Sequence, residues 1–219
     1  MPDPPRRTIL ALLAVLCLTV STTAQAKVPD PRFCRVSTLV LGTSSGAGLP
    51  GCMTGGWSGA PTTRVDGFYV EAREVNNGPL WYEPVTLDFS RTTLRLLADD
   101  TPGTTVDCVA RTITRLTGQD GIAVFQPRFC GQSNGRDVVV SVNGVWLREL
   151  EARSTDVDGD GATGLMDFSR LAANLLEGSA DPATDFDPCA AGSEGRTTLA
   201  DFALFARELL REARGTACP

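Results

Sequence analysis

The sequence predicts a mainly β N-terminal part, built as an antiparallel β-sandwich, followed by a small all-α C-terminal part of two loop-helix units. From residue 27 to residue 150, short runs alternate apolar and polar side chains with a period of two, which is typical of strands. From residue 151 to residue 219, acidic loops alternate with runs of helical period. We therefore divide the chain into a signal segment at 1–26, a β domain at 27–150 and a loop-helix domain at 151–219.

The β domain is predicted from about seven short strands separated by glycine and proline, as in a sandwich. The predicted runs are 36–40, 68–72, 85–89, 106–116, 122–125, 138–142 and 145–150. Asn143-Gly144 joins the last two runs and is the strongest two-residue signal for a β-hairpin. The glycine-rich stretch 42–59 is expected to form a long surface loop.

The first 26 residues have the layout of a secretory signal. Arg6 and Arg7 precede an apolar run at 9–20, and Ala24-Gln25-Ala26 supplies a small-x-small cleavage site. A run of about 12 residues is too short for a transmembrane helix, which needs about 20. We expect a protein that is secreted or held at the cell surface, with no membrane span in the mature chain.

The cysteine count fits an oxidising compartment. The chain has seven cysteines, and removal of the signal takes Cys17 and leaves an even number, which favours disulfides. Six cysteines allow 15 sets of pairings. Order along the chain suggests three bonds and no free thiol: Cys34 with Cys52, Cys108 with Cys130, and Cys189 with Cys218.

Composition excludes several classes of function. Histidine is absent, which removes the Ser-His-Asp and Cys-His catalytic arrangements and histidine-ligated metal sites. The formal net charge of -6 has the wrong sign for a phosphate-binding surface, so we expect no nucleic-acid partner. The net negative charge lies in residues 154–219, which hold 12 acidic and five basic side chains, whereas residues 27–153 hold 13 of each.

The C-terminal domain contains an internal repeat. Thr155-Asp-Val-Asp158 recurs as Thr184-Asp-Phe-Asp187, and Leu165-Met-Asp-Phe168 recurs as Leu199-Ala-Asp-Phe202. Each copy ends in a run with apolar residues at i, i+3, i+4 and i+7, which predicts an amphipathic helix.

The loop of the first copy has the spacing of a calcium site. Asp156, Asp158, Asp160 and Asp167 stand at positions 1, 3, 5 and 12, and Gly161 stands at position 6, where the loop turns sharply. The backbone carbonyl of Ala162, at position 7, would add a further oxygen. An acidic, solvated turn without an ion is the alternative. Because five positions fit together, the loop favours Ca²⁺.

The duplicated D-x-D-x-D-G loop, followed each time by a helix, resembles the type I dockerin module over about residues 154–214. The resemblance implies that Asp156, Asp158, Asp160, Ala162 and Asp167 bind calcium. It also implies attachment to an extracellular partner, a cohesin or a similar module, often in polysaccharide processing. In the second copy an insertion at 188–193 disrupts the spacing, so a weaker site is expected there. Its candidate ligands are Asp185, Asp187, Glu194 and Asp201.

Dockerins recognise their partner through a residue pair just before the twelfth loop position. Leu165-Met166 and Leu199-Ala200 stand at these places, where the family often has hydroxyl-bearing residues. We expect these apolar pairs to be core residues.

The β domain resembles, more weakly, the invasin-like bacterial Ig-like repeats. The segments that carry this resemblance are 84–90, 119–125 and 142–147. Such modules imply adhesion or spacing, so we expect a protein that is not an enzyme.

Two alternatives remain open for the β domain. It could be a carbohydrate-binding module, in which aromatic side chains stack on a glycan; the candidates are Trp57, Trp81, Tyr82 and Trp146. It could also be a glycosidase, whose paired carboxylates need no histidine; the candidates are Glu71, Glu74, Glu83 and Asp88. Core packing is the alternative expectation for Trp146.

Overall fold

The computed structural model describes residues 27–43, 51–55, 62–64, 67–98, 102–133, 135–178, 181–186, 196–209 and 218. For 51–55 and 62–64 it describes the backbone alone. The predicted signal segment at 1–26, which includes Cys17, lies outside the described residues. So do Trp57, Asp187, Glu194 and the insertion at 188–193, which includes Cys189.

The protein is mainly β, with most of its strands in two five-stranded antiparallel sheets. The strands of the first sheet are β1 (Arg35–Ser37), β3 (Gly51–Gly55), β4 (Thr62–Arg64), β5 (Phe68–Glu71) and β10 (Ile122–Phe125). Their order across the sheet is β10-β5-β1-β3-β4. The strands of the second sheet are β6 (Pro84–Asp88), β8 (Thr104–Asp107), β9 (Thr112–Leu116), β12 (Val138–Val142) and β13 (Val145–Leu150). Their order across the sheet is β13-β12-β6-β9-β8.

Two short strand pairs and two helices complete the described elements. β7 (Arg95–Leu96) pairs with β11 (Phe129–Cys130), and β2 (Val40–Gly42) pairs in parallel with β14 (Ala152–Ser154). Helices α1 (Leu165–Glu177) and α2 (Leu199–Glu208) flank a short 3₁₀ turn, η1 (Pro182–Thr184). Both helices lie in the predicted runs. Within the described residues, no helix is long and apolar enough to cross a membrane.

The period-two pattern predicts the buried face of the sheets. In β12 the side chains of Val138, Val140 and Val142 are buried, and those of Val139 and Ser141 are partly exposed. The main hydrophobic core draws on both five-stranded sheets, as expected for a sandwich-like arrangement. Its members from the two sheets include Val36, Phe68, Val70, Phe125, Val85, Leu87, Ile113 and Val140.

The hairpin prediction at Asn143-Gly144 is confirmed. Both residues have positive φ, 49° and 76°, as a type I′ turn requires, and Val142 pairs with Val145 across it. Two other predictions need correction. The run 106–116 is two strands, because Asp107 Oδ1 accepts hydrogen bonds from the N–H groups of Val109 and Ala110 and closes a turn between β8 and β9. The stretch 42–59 contains β3, which pairs with β1.

The two parts of the chain share a second hydrophobic core. Leu39 and Leu41, which flank and form part of β2, pack with four large residues of the C-terminal part. These are Val157, Leu171, Phe186 and Phe205. The backbone pairing of β14 with β2 extends the same contact. The C-terminal part therefore packs against the β-rich part.

The predicted cysteine pairings are wrong. Cys108 and Cys218 form a disulfide, with 5.1 Å between their Cα atoms and a sequence separation of 110 residues. This bond excludes the pairing of Cys108 with Cys130 and that of Cys189 with Cys218. Cys34 and Cys130 are buried free thiols, which also excludes the pairing of Cys34 with Cys52 and the expectation of no free thiol.

Strand register explains why the pairing of Cys34 with Cys52 fails. Arg35 pairs with Gly55 and Ser37 pairs with Met53, so Cys34 and Cys52 continue toward opposite ends of this strand pair. At about 3.3 Å per residue they are offset by roughly 13 Å along the strands. A disulfide needs Cα atoms within about 7 Å.

The tail returns to the β-rich part by a backbone contact that spacing could not predict. The N–H of Cys218 donates to the carbonyl of Leu96 in β7, at 2.9 Å, and Cys218 packs against the main core. The disulfide therefore joins the tail to the turn that holds Cys108 between β8 and β9.

We expect Cys34 and Cys130 to resist alkylation in the folded protein and to react once it is unfolded. Burial raises the pKa of the Cys34 thiol, and burial together with a hydrogen bond to Asp156 raises that of Cys130 to about 12. Because the thiolate is the nucleophile, both are protected at pH 8. Intact mass and peptide mapping after iodoacetamide treatment, without reductant, should show both labelled only in denaturant. Denatured protein without adducts at these two positions would contradict the structure.

Candidate metal centre

The acidic loop of the first repeat brings three of its four predicted carboxylates together. Asp156, Asp158 and Asp167 each offer an oxygen, and these oxygens lie within 4.8 Å of one another. Asp156 and Asp167 are buried, and Asp158 is exposed. The loop follows β14 directly and leads into α1, so a strand and a helix hold its two ends.

Backbone N–H groups turn inward to the two buried carboxylates. Asp156 accepts from Gly159 and Gly161, each at 2.8 Å. Asp167 Oδ1 accepts from Val157 at 2.6 Å and from Asp158 at 3.0 Å. Its Oδ2 accepts at 2.8 Å from the N–H of Gly164, just before α1. Each ionised carboxylate has about four acceptor sites, so these contacts leave lone pairs for a further ligand.

The electrostatics of the cluster favour a bound cation. Burial raises the pKa of Asp156, and the charge of Asp167 raises it further, whereas hydrogen bonds from Cys130, Gly161 and Gly159 act in the opposite direction. Burial and a nearby like charge both disfavour the ionised form of Asp156. A hard divalent cation with oxygen ligands would remove that penalty.

The remaining two predicted ligands belong to Asp160 and Ala162, which are both exposed. Asp160 stands outside the three-carboxylate cluster, and its Oδ1 accepts from the N–H of Ala162 at 2.9 Å. Gly161 has a φ of +111°, which confirms the sharp turn expected at the sixth position, because side chains rarely tolerate this conformation.

The second copy repeats the hydrogen-bond pattern of the first. Asp201 takes the place of Asp167: its Oδ1 accepts from the N–H of Phe186, and its Oδ2 from the N–H of Thr198 at 2.7 Å. A buried hydroxyl pair also recurs. In the first copy the Oγ1 atoms of Thr155 and Thr163 lie 2.9 Å apart. In the second copy the Oγ1 atoms of Thr184 and Thr197 lie 2.5 Å apart. The sequence repeat is therefore also a structural repeat.

The second copy differs at the residue equivalent to Asp156. Arg153 places Nη1 3.4 Å from Asp185 Oδ2 and donates to the Asp185 carbonyl at 2.6 Å. A guanidinium thus supplies positive charge beside the first carboxylate of this loop. Of the predicted ligands of the second site, Asp185 and Asp201 are buried, while Asp187 and Glu194 lie outside the described residues.

The first loop also rests on β11, a contact that no sequence signal indicated. The N–H of Gly131 donates to the carbonyl of Asp156 at 2.9 Å, and the Cys130 thiol hydrogen-bonds the Asp156 carboxylate. The two segments also approach each other at Gly159 and Gly131, since a Cβ added to Gly159 would lie in van der Waals contact, 3.7 Å from the Cα of Gly131. The metal-binding candidate is therefore supported from both parts of the chain.

The expectation that the residues before each twelfth position are core residues is wrong. Leu165, Met166 and Leu199 are 75%, 72% and 74% exposed, and Ala200 is partly exposed. They begin the two helices, where no preceding turn covers them, and the buried Asp167 and Leu171 fix which face of α1 meets the core.

The candidate glycosidase acids and stacking residues fall in different places. The Glu71 carboxylate forms ion pairs with the guanidinium groups of Arg73 and Arg35. Arg35 Nη1 lies 3.8 Å from Glu71 Oε2. Asp88 lies in β6 and accepts from the N–H of Ser90 at 2.8 Å. The three described aromatic candidates are all exposed: Trp81, Tyr82 and Trp146. Core packing of Trp146 is therefore wrong.

Comparison of the chain with protein-family models, with curated proteins and with solved structures gives no match.

Proposed function

We propose that the protein is an exported, non-catalytic calcium-binding protein whose C-terminal part attaches the β-rich part to an extracellular partner. The observation that carries this proposal is the convergence of Asp156, Asp158 and Asp167 within 4.8 Å. Their spacing along the loop is that of calcium-binding loops, and their carboxylate oxygens are the donors that calcium prefers.

Calcium fits this loop better than a smaller ion. Calcium accepts six to eight oxygens in flexible geometry, whereas magnesium requires near-ideal octahedral positions and keeps several waters. Three clustered carboxylates, the nearby Asp160 and the Ala162 carbonyl would provide the protein ligands. In the second copy, Arg153 lies beside Asp185, and we propose that this positive charge disfavours a second ion.

The start of each helix is the proposed contact for the partner. Leu165, Met166 and Leu199 are large apolar side chains in solvent, at the positions that dockerin-like modules use for recognition. Apolar groups that are buried in the centre of an interface supply much of its affinity. Asp167 both accepts from the N–H before α1 and belongs to the carboxylate cluster, so calcium would fix the orientation of Leu165 and Met166. We propose a cohesin-like module as the partner.

The β-rich part is the proposed cargo of this attachment. Its alternating strands and shared core support an Ig-like sandwich that acts in adhesion or spacing. The ion pairs of Glu71 with Arg73 and Arg35 favour this role over that of a glycosidase acid, because they already engage its carboxylate within the fold.

Binding to a panel of purified type I cohesins tests the attachment. The full chain should bind an immobilised cohesin in calcium and be released by EDTA. Leu165→Asp with Met166→Asp should weaken binding about thirtyfold or more, because charges would replace apolar anchors. Leu176→Asp is the matched control: Leu176 is 87% exposed near the other end of α1, and its change should leave affinity unaltered. If the chain binds none of the cohesins, the proposed attachment is wrong. An equal loss of affinity in the Leu165→Asp/Met166→Asp variant and in Leu176→Asp would also overturn it.

A further inference from the structure

An exposed aromatic pair stands at the entry to β6 and shares no residue with the carboxylate cluster. Trp81 and Tyr82 are 48% and 60% exposed, and their ring centroids lie 5.9 Å apart with an angle of 46° between the planes. Trp and Tyr side chains supply large contact areas in binding surfaces because one face is apolar and the edge is polar. We call Trp81, Tyr82 and the adjacent Lys27 the aromatic corner.

The backbone beneath the aromatic corner is held in a strained conformation. Tyr82 has a φ of 60°, which is uncommon for a bulky residue. Its N–H donates to the carbonyl of the buried Thr117, and the next N–H, that of Glu83, donates to Thr117 Oγ1, both at 3.0 Å. Thr117 Oγ1 in turn donates to the Leu80 carbonyl at 2.6 Å. Strain that the surroundings fix in this way is typical of functional sites.

A cavity adjoins the aromatic corner through Lys27. The Lys27 Nζ lies 4.6 Å from the centre of the Trp81 ring, and Lys27 also lines a cavity of about 530 Å³. This volume is within the range of small-molecule sites, about 300–1,000 Å³. The other lining residues are Val28, Pro29, Asp30, Pro31, Glu74 and Val75. Together the corner and the cavity offer ring faces beside hydrogen-bonding groups.

The charged groups of this surface give no excess of positive charge for an anionic ligand. Among the described residues that line the cavity, Lys27 is the one cation, and Asp30 and Glu74 supply two carboxylates. Asp30 is paired with Arg32 at 2.6 Å, so that carboxylate is already partly neutralised. Nucleic acids need an excess of basic side chains along their backbone, which this surface does not supply.

We propose that the aromatic corner and its cavity bind a neutral polysaccharide chain. Sugar rings present C–H groups on one face and hydroxyls at the edge. The C–H groups suit the negative faces of Trp81 and Tyr82. The hydroxyls both donate and accept, so they can pair with the Glu74 carboxylate and the Lys27 ammonium group together. The site shares no residue with the proposed calcium loop, and binding to it does not require the cohesin-like partner.

Depletion assays with insoluble cellulose, chitin and mannan test this proposal on the full chain. We expect at least one of them to retain the protein. Trp81→Ala should weaken that retention about tenfold, which is the order of the loss when one aromatic platform for a nucleic-acid base is removed. Tyr82→Asn should also weaken it, and asparagine tolerates the positive φ, so the turn is preserved. Trp146→Ala is the matched control because Trp146 is 57% exposed on β13, and it should bind as the unchanged protein does.

Thermal melts of all three variants would check that each of them folds. No retention on any of the three polysaccharides would overturn the proposal, as would retention that Trp146→Ala abolishes and Trp81→Ala preserves. Binding to a proline-rich peptide resin that depends on Trp81, without glycan binding, would assign the surface to a peptide instead. Calcium titration of the same samples stays independent of each result, so failure here leaves the proposed calcium site standing.

Discussion

Replacement of both Cys108 and Cys218 by serine is expected to lower the free energy of unfolding by about 4.7 kcal/mol. The disulfide closes a loop across a sequence separation of 110 residues, and in the chain-entropy model a loop of about 100 residues restricts the unfolded chain by that amount. For a protein of this size the melting temperature should fall by roughly 10–20 °C. Urea unfolding followed by far-UV circular dichroism measures the change.

The single variant Cys108→Ser provides the control for this prediction. It breaks the same crosslink, so it should unfold with the same midpoint as the double variant. An unfolding free energy equal to that of the unchanged protein would show that the tail is not tied to the turn between β8 and β9.

Calcium is expected to stabilise the folded chain by about 2.7 kcal/mol at a hundredfold excess over its dissociation constant. An ion that binds the folded loop far better than the unfolded chain stabilises by RT ln(1 + [L]/Kd). This corresponds to a rise in melting temperature of roughly 5–10 °C. Because Leu39 and Leu41 share a core with Val157 and Leu171, the β-rich part should respond together with the helices.

Asp158→Ala should abolish most of the calcium response with little effect on the ion-free protein. Asp158 is exposed and its carboxylate accepts one local hydrogen bond, from the N–H of Asp160 at 3.0 Å. Asp160→Ala should reduce the response as well. The matched control is Asp120→Ala: Asp120 makes the same kind of exposed turn contact, with the N–H of Ile122 at 3.0 Å, far from the loop in sequence. An equal loss of response in Asp120→Ala would contradict the assignment.

Local patterns predicted local structure well in this chain. The period of two located most strands, and Asn143-Gly144 located a hairpin, because both signals depend on the geometry of neighbouring residues. The repeat predicted both helices and the convergence of Asp156, Asp158 and Asp167, since a twelve-position loop closes on itself. The correspondence of Asp167 with Asp201 follows from the same alignment.

Contacts between distant segments were not predictable from spacing. The disulfide partner of Cys108 depends on where the tail returns, which is fixed by a hydrogen bond to Leu96 in β7. The support of Asp156 by Cys130 and Gly131 likewise depends on how β11 meets the loop. Exposure of Leu165 and Met166 was missed because an apolar residue at the start of a helix fits a core and a binding surface equally well in sequence.

Isothermal titration of the full chain with calcium tests the central claim most directly. We expect one calcium ion per chain at a dominant site, with the second loop weak or silent, and Asp158→Ala should remove the dominant site while Asp120→Ala keeps it. Two equal tight sites would contradict the role given to Arg153 beside Asp185. The absence of any calcium binding would contradict the metal centre itself and reduce the carboxylate cluster to an acidic turn.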